Sequence, residues 1–195
     1  MIGFRGITNT TNERTVISAA YPISAVGNSF PILLSPKLKN ELAACLTACI
    51  SSFALDFIAR LKVGGTNFNF YIVKQLPILP PEIFDSVAPW SDDPSETLSS
   101  WISKRVLELT YTAHEMKPWA EELGYGGEPF KYDVERRMLL RAELDACFFH
   151  LYGYRKDQVE YAMESFPIIK KHDIDRYGEY RTKELIISEF DAMLT

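Results

Sequence analysis

Long apolar runs are missing from this 195-residue chain. Nothing in it approaches the about 18 consecutive apolar residues that a membrane span requires. Cysteine is scarce. The three present have no zinc-type spacing, which sets aside a disulfide framework and fits a reducing compartment. Met1 to Gly6 does not have the make-up of a secretion signal. A nucleophile elbow of the Gly-x-Ser-x-Gly type, a phosphate-binding loop and a His-Glu-x-x-His pair are all absent from the sequence. His114, His150 and His172 are scattered, and none stands out as a base. Internal repeats and low-complexity tracts are missing too. These absences predict a cytoplasmic globular protein, or a piece of one, with no catalytic residue, no cofactor-binding residue and no metal site assigned.

What is present is ordinary for a folded domain: 47% hydrophobic and 24% charged residues. The charge is unevenly placed. Residues 1–74 hold seven Lys/Arg against three Asp/Glu, a net of +4, whereas residues 75–195 hold fourteen against twenty-three, a net of −9. Any polyanion is therefore expected to meet the first third.

The pattern predicts an α+β fold, mostly α, in two regions: residues 1–90 with short strands and one long buried helix, and residues 91–195 as a helical lobe. In the front region Arg14 to Ala20 and Phe30 to Leu34 read as short strands around a Gly27-Asn28 turn. So few strands look like the end of a sheet completed elsewhere. The helix is expected over 36–63. Ser35 would cap it, Pro36 would take its first position, and Gly64-Gly65 would stop it. Its stripe is Leu38, Leu42, Leu46, Cys49, Phe53, Phe57 and Leu61. In the back region a helix is expected to start from an Asp93 cap with Pro94 and to carry Leu98, Trp101, Ile102, Val106, Leu109 and Ala113. Pro118 and Gly124 to Gly127 break the pattern. Further helices are expected from Asp133 to Gly153, from Asp157 to Ser165 with Phe166-Pro167 as the stop, and from Thr182 onward.

Cys45 and Cys49 on the buried helix read as core, because a free thiol packs as a small hydrophobe. Cys147 and His150 are only two groups, too few for a zinc site. Arg136, Arg137 and Arg141 share one side of an acidic helix, where ion pairs with Glu135 and Asp145 are expected. Tyr177 to Lys183 suits either a nucleic-acid contact or a docked tail. The most informative stretch is Gly64-Gly65-Thr66-Asn67-Phe68-Asn69, flanked by Arg60, Lys62 and Lys74. Glycine lets a backbone approach a ligand closely, and short amides and hydroxyls hold phosphates or read adenine edges. The same residues also suit a helix stop followed by a turn into a strand.

Several stretches, in order, resemble the C-terminal part of type II restriction enzyme methylase subunits and their relatives in phage defence. They are Asn12-Glu13-Arg14-Thr15, then Ser52-Phe53, Asp56-Phe57, Arg60 and Lys62 to Asn67, then Gln75-Leu76-Pro77. The tail adds Arg137, Leu140 to Ala146, Leu151-Tyr152-Gly153, Phe166-Pro167, Tyr177-Gly178 and Arg181-Thr182-Lys183. The resemblance implies a bacterial adenine-specific DNA methyltransferase of a restriction-modification system that uses S-adenosylmethionine. Its catalytic Asn-Pro-Pro-Tyr motif and cofactor motif lie upstream of a target-recognition region. This sequence has neither motif; Pro80-Pro81 follows Leu79.

The resemblance therefore implies the DNA target-recognition and helical end of such an enzyme, without methyl transfer by the chain alone. Double-stranded DNA and the methyltransferase core are the expected partners, and S-adenosylmethionine would be held by the core. The candidate DNA contacts are Arg14, Arg60, Lys62, Gly64, Gly65, Thr66, Asn67, Asn69 and Lys74. The alternative is a scaffold that docks the methylase core or a partner subunit.

Overall fold

A computed structural model describes residues 1–35 and 38–194. The fold is α+β and mostly α, with a small antiparallel sheet at the front. β1 (Ile2–Phe4) is the middle strand between β2 (Ser18–Ala20) and β3 (Ile32–Leu33). Ile2 faces Ala20 on one side and Leu33 on the other. A β-carbon on Gly3 would fall 2.3 Å from the Phe30 ring, so glycine here lets the segment before β3 close over β1. The expected strand from Arg14 to Ala20 shortens to β2. The reason is that Thr15 and Val16 direct their N–H groups to a carboxylate, Asp56, instead of to a ladder.

The long helix expected over 36–63 is two helices, α1 (Asn40–Ser51) and α2 (Phe53–Lys62), bent by 56° at Ser52. Ser52 takes an extended conformation, and its side chain accepts the N–H of Leu55, which makes it the N-cap of α2. A new helix therefore starts where the apolar stripe suggests continuity. The expected start at Pro36 lies outside the described residues, and Lys39 is the N-cap of α1. After α2 the chain turns through residues 64–69 into α3 (Phe70–Val73), one turn of helix, where the sequence also suited a turn into a strand.

α4 (Leu98–Thr110) begins five residues after Asp93, capped by Thr97 through the N–H of Ser100. Asp93 instead closes a tight turn, accepting the N–H and hydroxyl of Ser95. The helix ends before Ala113. Pro118 starts α5 (Lys117–Glu122) instead of breaking a helix, as suits its missing N–H. α6 (Val134–Leu151) starts where expected, with the Asp133 carboxylate accepting the N–H of Arg136. α7 (Lys156–Glu164) and α9 (Arg181–Ala192) also match expectation within a residue. Between them Pro167 opens α8 (Pro167–Tyr177), which ends on Gly178 at φ +81°.

The main core joins front and back: Ala44, Ala48 and Phe53 pack with Trp101, Ile102, Phe148, Phe149, Met163, Phe166 and Ile186. A second cluster lies under the sheet and the loop after α2, built from Phe4, Val16, Leu55, Val63, Phe68 and Ile72. Cys45, Cys49 and Cys147 are all buried and unbridged. Burial pushes the Cys45 thiol up to about 12, so it packs as a hydrophobe. No single described helix is long and apolar enough to cross a membrane.

Candidate nucleic-acid interface

Three apolar anchors shape the loop after α2. Phe68, Ile72 and Leu76 sink into the second core cluster. Phe68 meets Phe4 edge-on at 5.4 Å between ring centres. Backbone hydrogen bonds tie the loop to the continuation of β1: Phe68 N–H donates to Gly6 at 2.8 Å and Thr8 N–H donates to Thr66 at 3.0 Å. Ile7 and Asn67 form an isolated antiparallel bridge. The backbone of the loop is thus fixed while the polar side chains along it stay exposed.

Those side chains are the ones that carry the expectation. Lys62, Gly64, Gly65, Thr66, Asn67, Asn69 and Lys74 are all exposed. Among the described residues neither Lys62 nor Lys74 has a carboxylate partner, whereas Lys104, Lys117, Lys156, Lys170, Lys171 and Lys183 in the back region all do. A β-carbon on Gly64 or Gly65 would meet nothing within 4 Å, and neither has a positive φ. The fold itself does not require glycine there.

Arg14 and Arg60 go elsewhere, and this corrects their place among the candidate contacts. Both turn inward onto Asp56, whose side chain is fully buried. Arg14 Nε donates to Asp56 at 2.7 Å, and its guanidinium lies 3.9 Å above the Phe53 ring. Arg60 donates to the carbonyls of Ser165 and Asn12 at 2.8 and 2.7 Å and covers the Phe166 ring. Thr15 and Val16 complete the carboxylate's shell. These two cations lock the 12–16 segment onto α2 and the start of α8. Next to this cluster Asp145 accepts the N–H of Phe53 at 2.6 Å. Burial pushes its carboxyl up to about 6, against the opposing pull of Arg14.

Sequence reasoning missed three exposed side chains beside the loop. Phe70 is 49% exposed and Tyr71 63% exposed, at the start of α3. Arg5 is exposed next to Gly6. The signal for Phe70 and Tyr71 was the crowding of aromatics after Asn67, where Phe68 and Ile72 fill the core and Phe70 only leans one edge on Phe4, 5.6 Å between ring centres. A lone arginine such as Arg5 gives no sequence signal.

The other candidate pairs serve packing. His150 stacks flat on Phe190 at 3.8 Å and contacts its carbonyl at 2.8 Å, apart from any metal-type partner. Among the described residues no three His, Cys, Asp or Glu side chains group as a metal site. Of the expected ion pairs on α6, Arg136 instead binds Glu108, and Glu135 binds Arg181. Comparison of the chain with known family models, curated proteins and solved structures finds no match.

Proposed function

We propose that this chain is the DNA target-recognition and helical module of a bacterial restriction-modification adenine methyltransferase. In this reading it binds duplex DNA, and the S-adenosylmethionine site belongs to the methyltransferase core. The observation that carries DNA binding is the loop from Lys62 to Lys74. Its backbone is pinned to β1, its two lysines have no carboxylate partner among the described residues, and two amides and two aromatic rings face solvent beside them. Lys62 and Lys74 would take phosphates and set the register. Asn67 and Asn69 would meet base edges, since an amide pairs with the adenine N6/N7 edge. Phe70 and Tyr71 add flat apolar surface of the kind that stacks on exposed bases. The methyltransferase assignment rests on the ordered sequence resemblance. The acidic back region, with six of its seven lysines paired internally, would support the loop and face the methylase core.

Gly64→Ala tests whether the loop backbone approaches DNA. The added methyl has open space, so thermal stability should stay level or rise slightly. Duplex affinity, read by fluorescence anisotropy, should fall severalfold. Unchanged affinity would remove Gly64 from the interface.

A further inference from the structure

A cavity of about 630 Å³ opens where the 13–20 segment, the α1–α2 break, α4, α6, α8 and α9 meet. That volume suits a small ligand. Its wall is largely apolar, with Val16, Phe53, Val106, Leu109, Met138 and Ile169 among the contributors. Three arginines also line it: Arg14, Arg137 and Arg141. None of its lining residues belongs to the 62–74 loop.

Arg137 and Arg141 lie one helical turn apart on α6, so two like charges share one face. Neither has a carboxylate within ion-pair distance among the described residues. Arg137 gives one N–H to the carbonyl of Leu109 at 2.9 Å, but its Nε is buried with no hydrogen-bond partner. Arg141 makes no side-chain hydrogen bond among the described residues. Arg141 is an exposed residue; desolvation at the cavity wall and then the charge of Arg137 lower its guanidinium below the usual arginine value, while Tyr132 and Asp145 pull the other way. Of the nearby carboxylates only Asp145, itself on the cavity lining, pulls on Arg141, and from beyond ion-pair distance. Asp56 is taken by Arg14 and Arg60. Asp145 serves the N–H of Phe53 at 2.6 Å, and Glu13 is exposed, 3.9 Å from His172. The like-charge pair disfavours the empty state, and an oxyanion in the cavity relieves it.

We propose that this cavity binds a phosphate monoester with an apolar body. Its dianion matches the two unpaired guanidiniums of Arg137 and Arg141, which bind it through parallel N–H donors. Its apolar body lies against Val106, Leu109, Met138 and Ile169. The hydroxyls of Thr110 and Thr182 stand on the same lining.

Calorimetric titration of the chain with phenyl phosphate, and separately with inorganic phosphate, tests the site. Saturable 1:1 binding is expected, tighter for phenyl phosphate. Arg141→Gln should weaken it about tenfold or more, since a charge-assisted pair is lost. Arg141 holds no structural hydrogen bond, so thermal unfolding of this variant should match the parent. Arg136→Gln, outside the cavity, and Lys62→Ala, on the DNA-facing loop, should leave phenyl phosphate affinity unchanged. The proposal fails if about 10 mM phenyl phosphate gives no saturable heat, or if Arg141→Gln binds like the parent. Equal affinity for inorganic phosphate would overturn the apolar body of the ligand.

Discussion

Asp56 is the residue on which most of the front region depends. Its buried carboxylate accepts two backbone N–H groups and one guanidinium at hydrogen-bond distance, with a second guanidinium 3.9 Å away. Removing one partner from such a buried group leaves the others uncompensated, which costs far more than the net worth of the pair. Asp56→Ala should therefore lower stability by about 3 kcal/mol or more in urea unfolding. A loss below about 1 kcal/mol would show that water replaces the carboxylate.

At Asp145 it is the charge itself that burial disfavours. Its folded carboxyl therefore titrates at about 6, above the ordinary aspartate value. Below pH about 4 it is protonated in both the folded and unfolded states, and its stability contribution is fully present. As pH rises through about 6 that contribution is lost, about 3 kcal/mol in all. Asp145→Asn keeps an acceptor for Phe53 N–H and removes the charge. It should flatten the fall in stability between pH 4 and 6 in urea titrations. An unchanged slope would place the pH dependence elsewhere.

At the scale of elements, the break at Ser52 decides how the front region meets the rest. It lets α1 pack on α4 and β2 while α2 turns toward α6 and α7. Ser52→Ala removes the side-chain acceptor for Leu55 N–H and should cost about 1 kcal/mol in urea unfolding. Ser52→Pro fits the φ of −73° but also loses the N–H bond to the Cys49 carbonyl, so it should be the less stable of the two variants.

This element also marks where the sequence was readable and where it was not. α6 was legible because Asp133, its apolar stripe and Gly153 agree on one helix. The break was hidden because Cys49, Phe53 and Phe57 keep a spacing of four straight through it, and only the Ser51-Ser52 pair hints otherwise. α8 was hidden because Pro167 both stops α7 and opens the next helix, and buries only Ile169 and Asp173 below it. In the candidate interface, the free lysines and amides were legible as types in a row. The inward turn of Arg14 was not, since its partner lies 42 residues away. Arg60 has Asp56 one turn before it, a spacing that already suited an ion pair.

At the scale of the molecule, the two halves use their charges differently. The back region pairs six of its seven lysines with carboxylates and carries a net negative charge, while the front region leaves Arg5, Lys62 and Lys74 without carboxylate partners among the described residues. A duplex approaching the chain is drawn to the front and repelled from the back, which orients it over the 62–74 loop. The central claim is that these lysines meet phosphates, and salt dependence reads that directly. Anisotropy titrations of a labelled duplex across a range of salt should give a linear plot of log affinity against log salt. The slope should become shallower by about 2 in a Lys62→Ala, Lys74→Ala double variant, one counterion per lost phosphate contact. No duplex binding at low salt, or an unchanged slope in the double variant, would contradict the account.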